Sequence, residues 1–108
     1  MHLGVRESVA LARGVLRSTR GKEIMPEVVL CPSFTALSEV HKVLARSRIT
    51  LGAQNLGLER SGAYTGEVSV AMLEDVGAGY VLVGHSERRN HFGETDEMIR
   101  QKMNVLAS

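Results

Sequence analysis

The sequence predicts an α/β fold with a parallel sheet, in a single unit of 108 residues. Two observations carry this. Val28 to Cys31 and Tyr80 to Val83 are unbroken apolar runs, as in strands buried on both faces, and Ile49 to Gln54 reads as a further strand between them. The segments that separate the strands repeat their apolar residues at helical spacing, and parallel strands need such crossovers. No internal repeat beyond this alternation, no low-complexity segment and no linker divides the chain.

The elements follow in order. Val5, Val9, Ala12 and Leu16 form an i, i+4, i+7, i+11 stripe, so a helix is expected over Val5 to Thr19, with Gly21 ending it. Pro32 stops the strand Val28 to Cys31. Leu37, Val40 and Leu44 mark a second helix, and the strand Ile49 to Gln54 follows. Gly57, Gly62 and Gly66 make the stretch from Gly57 to Glu67 a loop, and unstructured loops of that length are uncommon unless functional or disordered. A short helix is expected over Ser69 to Asp75, closed at Val76-Gly77, before the strand Tyr80 to Val83. Thr95 caps a last helix with Asp96 and Glu97 in its first turn and an expected buried stripe of Ile99, Met103 and Leu106.

Composition excludes several function classes. The chain is 44% hydrophobic with a net charge of +1, and no basic run exceeds two residues, so neither nucleic acid nor an anionic membrane is expected as a partner. Cys31 has no second cysteine to pair with and reads as a small buried core residue. His2, His41 and His91 lack ligand-like spacing, with His41 on a helix and His91 in a loop, and no metal or cofactor is expected. No signal peptide or apolar span is read at the N-terminus or elsewhere, so a cytoplasmic location is expected.

The chemistry concentrates at Gly84-His85-Ser86-Glu87-Arg88-Arg89, directly behind the run Tyr80 to Val83. Open and closed α/β folds collect their active sites at the C-terminal ends of parallel strands. If Ser86 opens a helix, one of its first free N–H groups can hydrogen-bond the near ring nitrogen of His85, and the partial positive charge there disfavours the imidazolium. A neutral imidazole held in this way has one N–H left to polarise a substrate oxygen. Position alone leaves open a histidine that only satisfies a backbone group.

The same segment, followed by Phe92-Gly93-Glu94-Thr95-Asp96, resembles the region around the electrophilic histidine of the triosephosphate isomerase family. The resemblance continues through Cys31-Pro32-Ser33-Phe34-Thr35, Leu51-Gly52-Ala53-Gln54-Asn55, Gly62 to Ser69 and Ala71-Met72-Leu73, in order over nearly the whole chain. It implies a partial TIM (β/α)₈ barrel of about three parallel strands with flanking helices. A full barrel has roughly 250 residues. It further implies interconversion of dihydroxyacetone phosphate and glyceraldehyde 3-phosphate in glycolysis and gluconeogenesis, without a cofactor. His85 would be the electrophile, supported by Glu87 and Ser86. Asn55, Thr65, Glu67 and Arg88 would belong to a homodimer interface, with Thr65 at the tip of an arm that enters the second subunit. A flavodoxin-like nucleotide binder is disfavoured, since no glycine-rich phosphate loop follows the first strand.

Some of the family's parts do not occur among the 108 residues: the Asn-x-Lys substrate-binding segment, the Ala-Tyr-Glu-Pro-x-Trp-like segment with the catalytic base, the lid and the late phosphate loop. Arg88 and Arg89 are read as ion-pair or interface residues. Activity of the isolated chain is not expected, and the alternative reading is a noncatalytic half-barrel that pairs with another chain. Strand faces meant for a barrel interior forfeit about 1.5–3 kcal/mol for each aliphatic side chain left uncovered. Met1-His2-Leu3 resembles the residues just after the Asn-x-Lys segment, and Ser108 falls where a fourth helix would lead to a fifth strand. In-frame upstream DNA is therefore expected to encode a strand ending in Asn-Trp-Lys or a close variant. Sequencing that DNA checks this, and a stop codon just before Met1 with no such strand in any frame would favour the half-barrel reading.

Overall fold

A computed structural model describes residues 1–108. Helix α1 spans Val5–Thr19, strand β1 Val29–Leu30, a 3₁₀ turn Phe34–Ala36, and helix α2 Leu37–Leu44. Strand β2 follows at Thr50–Ala53, helix α3 at Val70–Asp75, strand β3 at Tyr80–Val81, and helices α4 and α5 at Ser86–His91 and Asp96–Ala107. The three strands form one parallel sheet in the order β1-β2-β3, with Val29 opposite Thr50 and Gly52 opposite Tyr80. This is the α/β architecture expected from the sequence.

Pairing makes β2 the only strand with neighbours on both sides, and burial follows. Leu51, Gly52 and Ala53 are buried, whereas no residue of β1 or β3 is. Helices α1 and α2 cover one side of the sheet through Ala12, Leu37, Val40 and Leu44, which with Leu51, Ala53, Leu56 and Leu73 form the core. Only 16 of 108 residues are buried, so each core contact is a large share of the whole.

The edge strands are shorter than the apolar runs that mark them. Val28 to Cys31 contracts to two residues and Tyr80 to Val83 to Tyr80–Val81, because each has a partner on one side only. Backbone bonding nonetheless runs one residue further: Thr50 donates to the Val28 carbonyl at 3.0 Å and Leu82 to the Ala53 carbonyl at 2.9 Å. Tyr80 and Leu82 remain more than two-fifths exposed.

Four smaller expectations are corrected. His91 closes helix α4 rather than lying in a loop. Met103 is 54% exposed, and the buried residue of α5 is Lys102, one position before it on the helix. Val5 is exposed, and Ser8 joins Ala12 as the buried pair of α1. Cys31 is half-buried, and burial pushes its thiol up, away from a reactive thiolate.

Gly52 fixes the spacing of β1 and β2. A Cβ there would stand 2.6 Å from Cys31 Sγ and 2.9 Å from Val29 Cγ1. Gly52→Ala is therefore expected to push β1 away from β2 and destabilise the chain by about 1–3 kcal/mol, the range for overpacking. Chemical denaturation checks this, and an unchanged midpoint contradicts the packing described.

Candidate active site

The site is a strand-to-helix turn. Strand β3 ends at Val81, Leu82 stays hydrogen-bonded to β2, and Gly84 then turns the chain with a φ of +71°. That left-handed conformation is inexpensive only for glycine. His85 follows as the N-cap of α4.

A cap satisfies a free N–H of the first helical turn, and here the imidazole does so: the Glu87 N–H donates to His85 Nδ1 at 3.1 Å. An Nδ1 that accepts carries no hydrogen, which leaves Nε2–H as the outward donor of the neutral ring. The His85 side chain is 48% exposed, so the donor is accessible. Ser86 opens the helix. Glu87 lies beside the ring, its Oε2 4.0 Å from Nδ1, but its side chain is 76% exposed.

Behind this turn lies a group of charges that sequence reasoning missed. The Glu94 carboxylate has no exposed surface, and the Lys102 side chain retains 3%. Glu94 Oε2 accepts from Arg88 Nε at 2.6 Å and from Lys102 Nζ at 2.9 Å, while Lys102 also donates to Asn55 Oδ1 at 2.7 Å. The other carboxylate oxygen of Glu94 accepts the Gly84 N–H at 3.3 Å. No buried side-chain nitrogen or oxygen is left without a partner. One signal was available in the sequence: Lys102 stands between Ile99 and Leu106 on the inward side of α5, where an ammonium requires an acid.

Burial acts to raise the pKa of Glu94, but hydrogen bonds from Lys102 and Arg88, with their charges, outweigh it and hold the carboxyl below its ordinary value. Arg89 donates to the Gly84 carbonyl at 3.0 Å and to Asp96 at 2.8 Å, and Arg88 also lies 4.9 Å from the Phe92 ring centroid. Both arginines are thus ion-paired.

Of the residues assigned by resemblance to an interface, Asn55, Glu67 and Arg88 line one cavity of about 360 Å³, together with Tyr64 and Lys102. Thr65 is exposed outside it, and His85 is not part of its wall. No group of three or more His, Cys, Asp or Glu side chains is arranged to hold a metal, and no helix is long and apolar enough to cross a membrane.

A family model described as triosephosphate isomerase matches residues 1–108. The chain belongs to the triosephosphate isomerase family. It is 47% identical over 103 residues to the triosephosphate isomerase of Thermoanaerobacter pseudethanolicus, covering 95% of this chain and 41% of that protein. Over 77 residues it is 58% identical to the enzyme of Carboxydothermus hydrogenoformans, covering 71% of this chain and 31% of that protein. The triosephosphate isomerase of Bartonella henselae superposes with a TM-score of 0.82 at 34% identity, over 97% of this chain and 43% of the other. The chain thus spans about one-third to two-fifths of the length of these relatives, and its three parallel strands with their helices have the fold of the matching part of a TIM barrel.

Two outcomes test the site. Gly84→Ala would place a Cβ 2.9 Å from Ile99 Cδ1 in a left-handed conformation, and is expected to cost at least about 1–2 kcal/mol in thermal unfolding. Because folding depresses the Glu94 pKa, its contribution is present above the unfolded carboxyl value of ~4.3 and is lost as pH falls through the lower folded value. The stability difference between the native chain and Glu94→Gln is therefore expected to shrink below about pH 4. A difference constant from about pH 7 to pH 3 contradicts it.

Proposed function

We propose that this chain is the part of a triosephosphate isomerase that supplies the electrophile, and that the enzyme containing it interconverts dihydroxyacetone phosphate and glyceraldehyde 3-phosphate. The observation that carries the reading is the hydrogen bond from the Glu87 N–H to His85 Nδ1, which leaves Nε2–H free to donate from the C-terminal end of a barrel strand. The neutral histidine of this family is a known example of such an electrophile paired with a glutamate base.

In this reaction a base removes the pro-enediol proton from one carbon of the triose while Nε2–H polarises the carbonyl oxygen of its neighbour. Charge that builds on that oxygen is met by the imidazole N–H, which protonates it to give the enediol. The other oxygen then gives up its proton to the imidazole nitrogen as the carbon-bound proton returns from the base to the adjacent carbon. The carbonyl and the hydroxyl thereby exchange places, and both base and imidazole are restored. The chemistry is proton transfer alone, with no cofactor. Glu87 and Ser86 support the ring at the helix opening.

The base belongs to a segment that does not occur among the 108 residues, so these residues alone have no isomerase turnover. The cavity that gathers Asn55, Glu67 and Arg88 supports an interface role for these residues, with Thr65 carried on the exposed loop beside it as the part that enters a second subunit. The enzyme works in the cytoplasm, in glycolysis and gluconeogenesis. A second reading, a noncatalytic half-barrel that pairs with another chain, is favoured by the exposed Tyr80 and Leu82 at the open edge of the sheet.

The test is turnover in a barrel completed by flanking segments from the Thermoanaerobacter relative. His85→Ala is expected to lower kcat by about 10²-fold or more, the scale of removing one donor to a developing oxyanion. A variant as fast as its parent contradicts the electrophile. A completed barrel with no turnover, from a chain that assembles with a partner, favours the second reading.

A further inference from the structure

Glu94 is ten residues beyond Gly84 and does not touch the imidazole, yet it is tied to the chain on both sides of His85. Before the histidine, the Gly84 N–H finds no backbone acceptor at its left-handed turn, and Glu94 Oε1 takes it at 3.3 Å. After the histidine, the Arg88 guanidinium donates to Glu94 Oε2 at 2.6 Å, while the Arg88 N–H donates to the His85 carbonyl at 2.9 Å. The Glu94 N–H in turn donates to the Arg88 carbonyl at 3.1 Å. One carboxylate therefore spans the residue before the cap and the first turn that the cap closes.

Lys102 fixes that carboxylate from the far side. It arrives from α5, bonds the same Oε2 at 2.9 Å, and is itself held by Asn55 of the loop after β2. Three separate segments are thereby joined to the turn through two buried charges.

We propose that Glu94 is a positioning residue for His85: clamped by Arg88 and Lys102, its carboxylate holds the Gly84 amide and so fixes the turn that presents the imidazole. The value of this placement to catalysis rests on His85 being the electrophile, whereas the placement itself does not. Misplacing a reacting group by about 1 Å can cost on the order of 10²-fold in rate, so a strand-to-helix turn held open by a single glycine gains from such a clamp.

Hydrogen exchange on the 108-residue chain tests it. In Glu94→Gln, which keeps the volume but loses the charge shared by two cations, the Gly84 and Glu87 amides are expected to exchange about tenfold faster or more, the equivalent of one lost hydrogen bond. The amides of α2 and of Met72, which Ser69 caps, are expected to keep their rates. Unchanged Gly84 and Glu87 rates overturn the proposal. So does an equal acceleration of every amide, since that is what a merely structural role produces.

If Glu94→Gln does not fold, the native chain is measured in low urea. The Gly84 and Glu87 amides are then expected to open together with those of α5, and independent opening at lower urea overturns the proposal. An electrophile assignment that fails leaves all these rates untouched and appears only in turnover, so the two failures are distinguishable.

Discussion

A carboxylate cut off from water has to be met by cations, and that requirement organises the half of this fold that holds His85. Glu94 is met by two, Arg88 from α4 and Lys102 from α5, and neither pairing is optional. Removing one member of a buried pair leaves an uncompensated charge at a cost of about 3–5 kcal/mol. A typical domain has about 5–15 kcal/mol in total. No residue of α4 is fully buried and Lys102 is the one fully buried residue of α5, although Val105 and Leu106 pack partly buried against the core. The ion pairs of Glu94 therefore act together with the partly buried apolar residues of α5 in placing these helices.

The other half is built differently. Helix α2 packs apolar side chains onto β2 and α1 packs onto α2, while the small Gly52 of β2 lets the neighbouring strands approach. The rigid element is β2, and the site hangs from it through one edge: Gly79 and Leu82 bond to the Leu51 and Ala53 carbonyls on either side of β3. From there Gly84 turns the chain, His85 caps the next helix, and the imidazole faces outward. His85 stands at the join between an apolar half that holds the strand and a charged half that holds the helix.

Much of this was legible in the residues. Helix α1 appears over the same residues as its apolar stripe, and Thr95 caps α5 as expected, accepting from the Met98 amide, whereas Ser69, expected as the first residue of α3, is its N-cap. The placement of His85 was legible, since an apolar strand before it and a helix after it put its ring nitrogen within reach of a free N–H of the first turn, which is where the Glu87 amide meets it. Strand lengths were not, since hydrogen bonding depends on neighbours that local sequence does not name. Lys102 was legible only in part: periodicity marked Ile99, Met103 and Leu106 as the inward stripe of α5, and the lysine between them stood out only as an ammonium that would need an acid. Glu94 stood in the motif that carries the resemblance, but its role depends on contacts with Lys102 and Gly84, distant in sequence and adjacent only in the fold.

The central claim is that the turn engages His85 Nδ1 with the Glu87 amide and leaves Nε2 as the outward nitrogen of the ring. Nitrogen NMR of the ring at neutral pH tests it most directly. The account predicts one protonated nitrogen, Nε2, and an unprotonated Nδ1 that is coupled to the Glu87 amide. An imidazolium, or a neutral ring with its hydrogen on Nδ1, would contradict it.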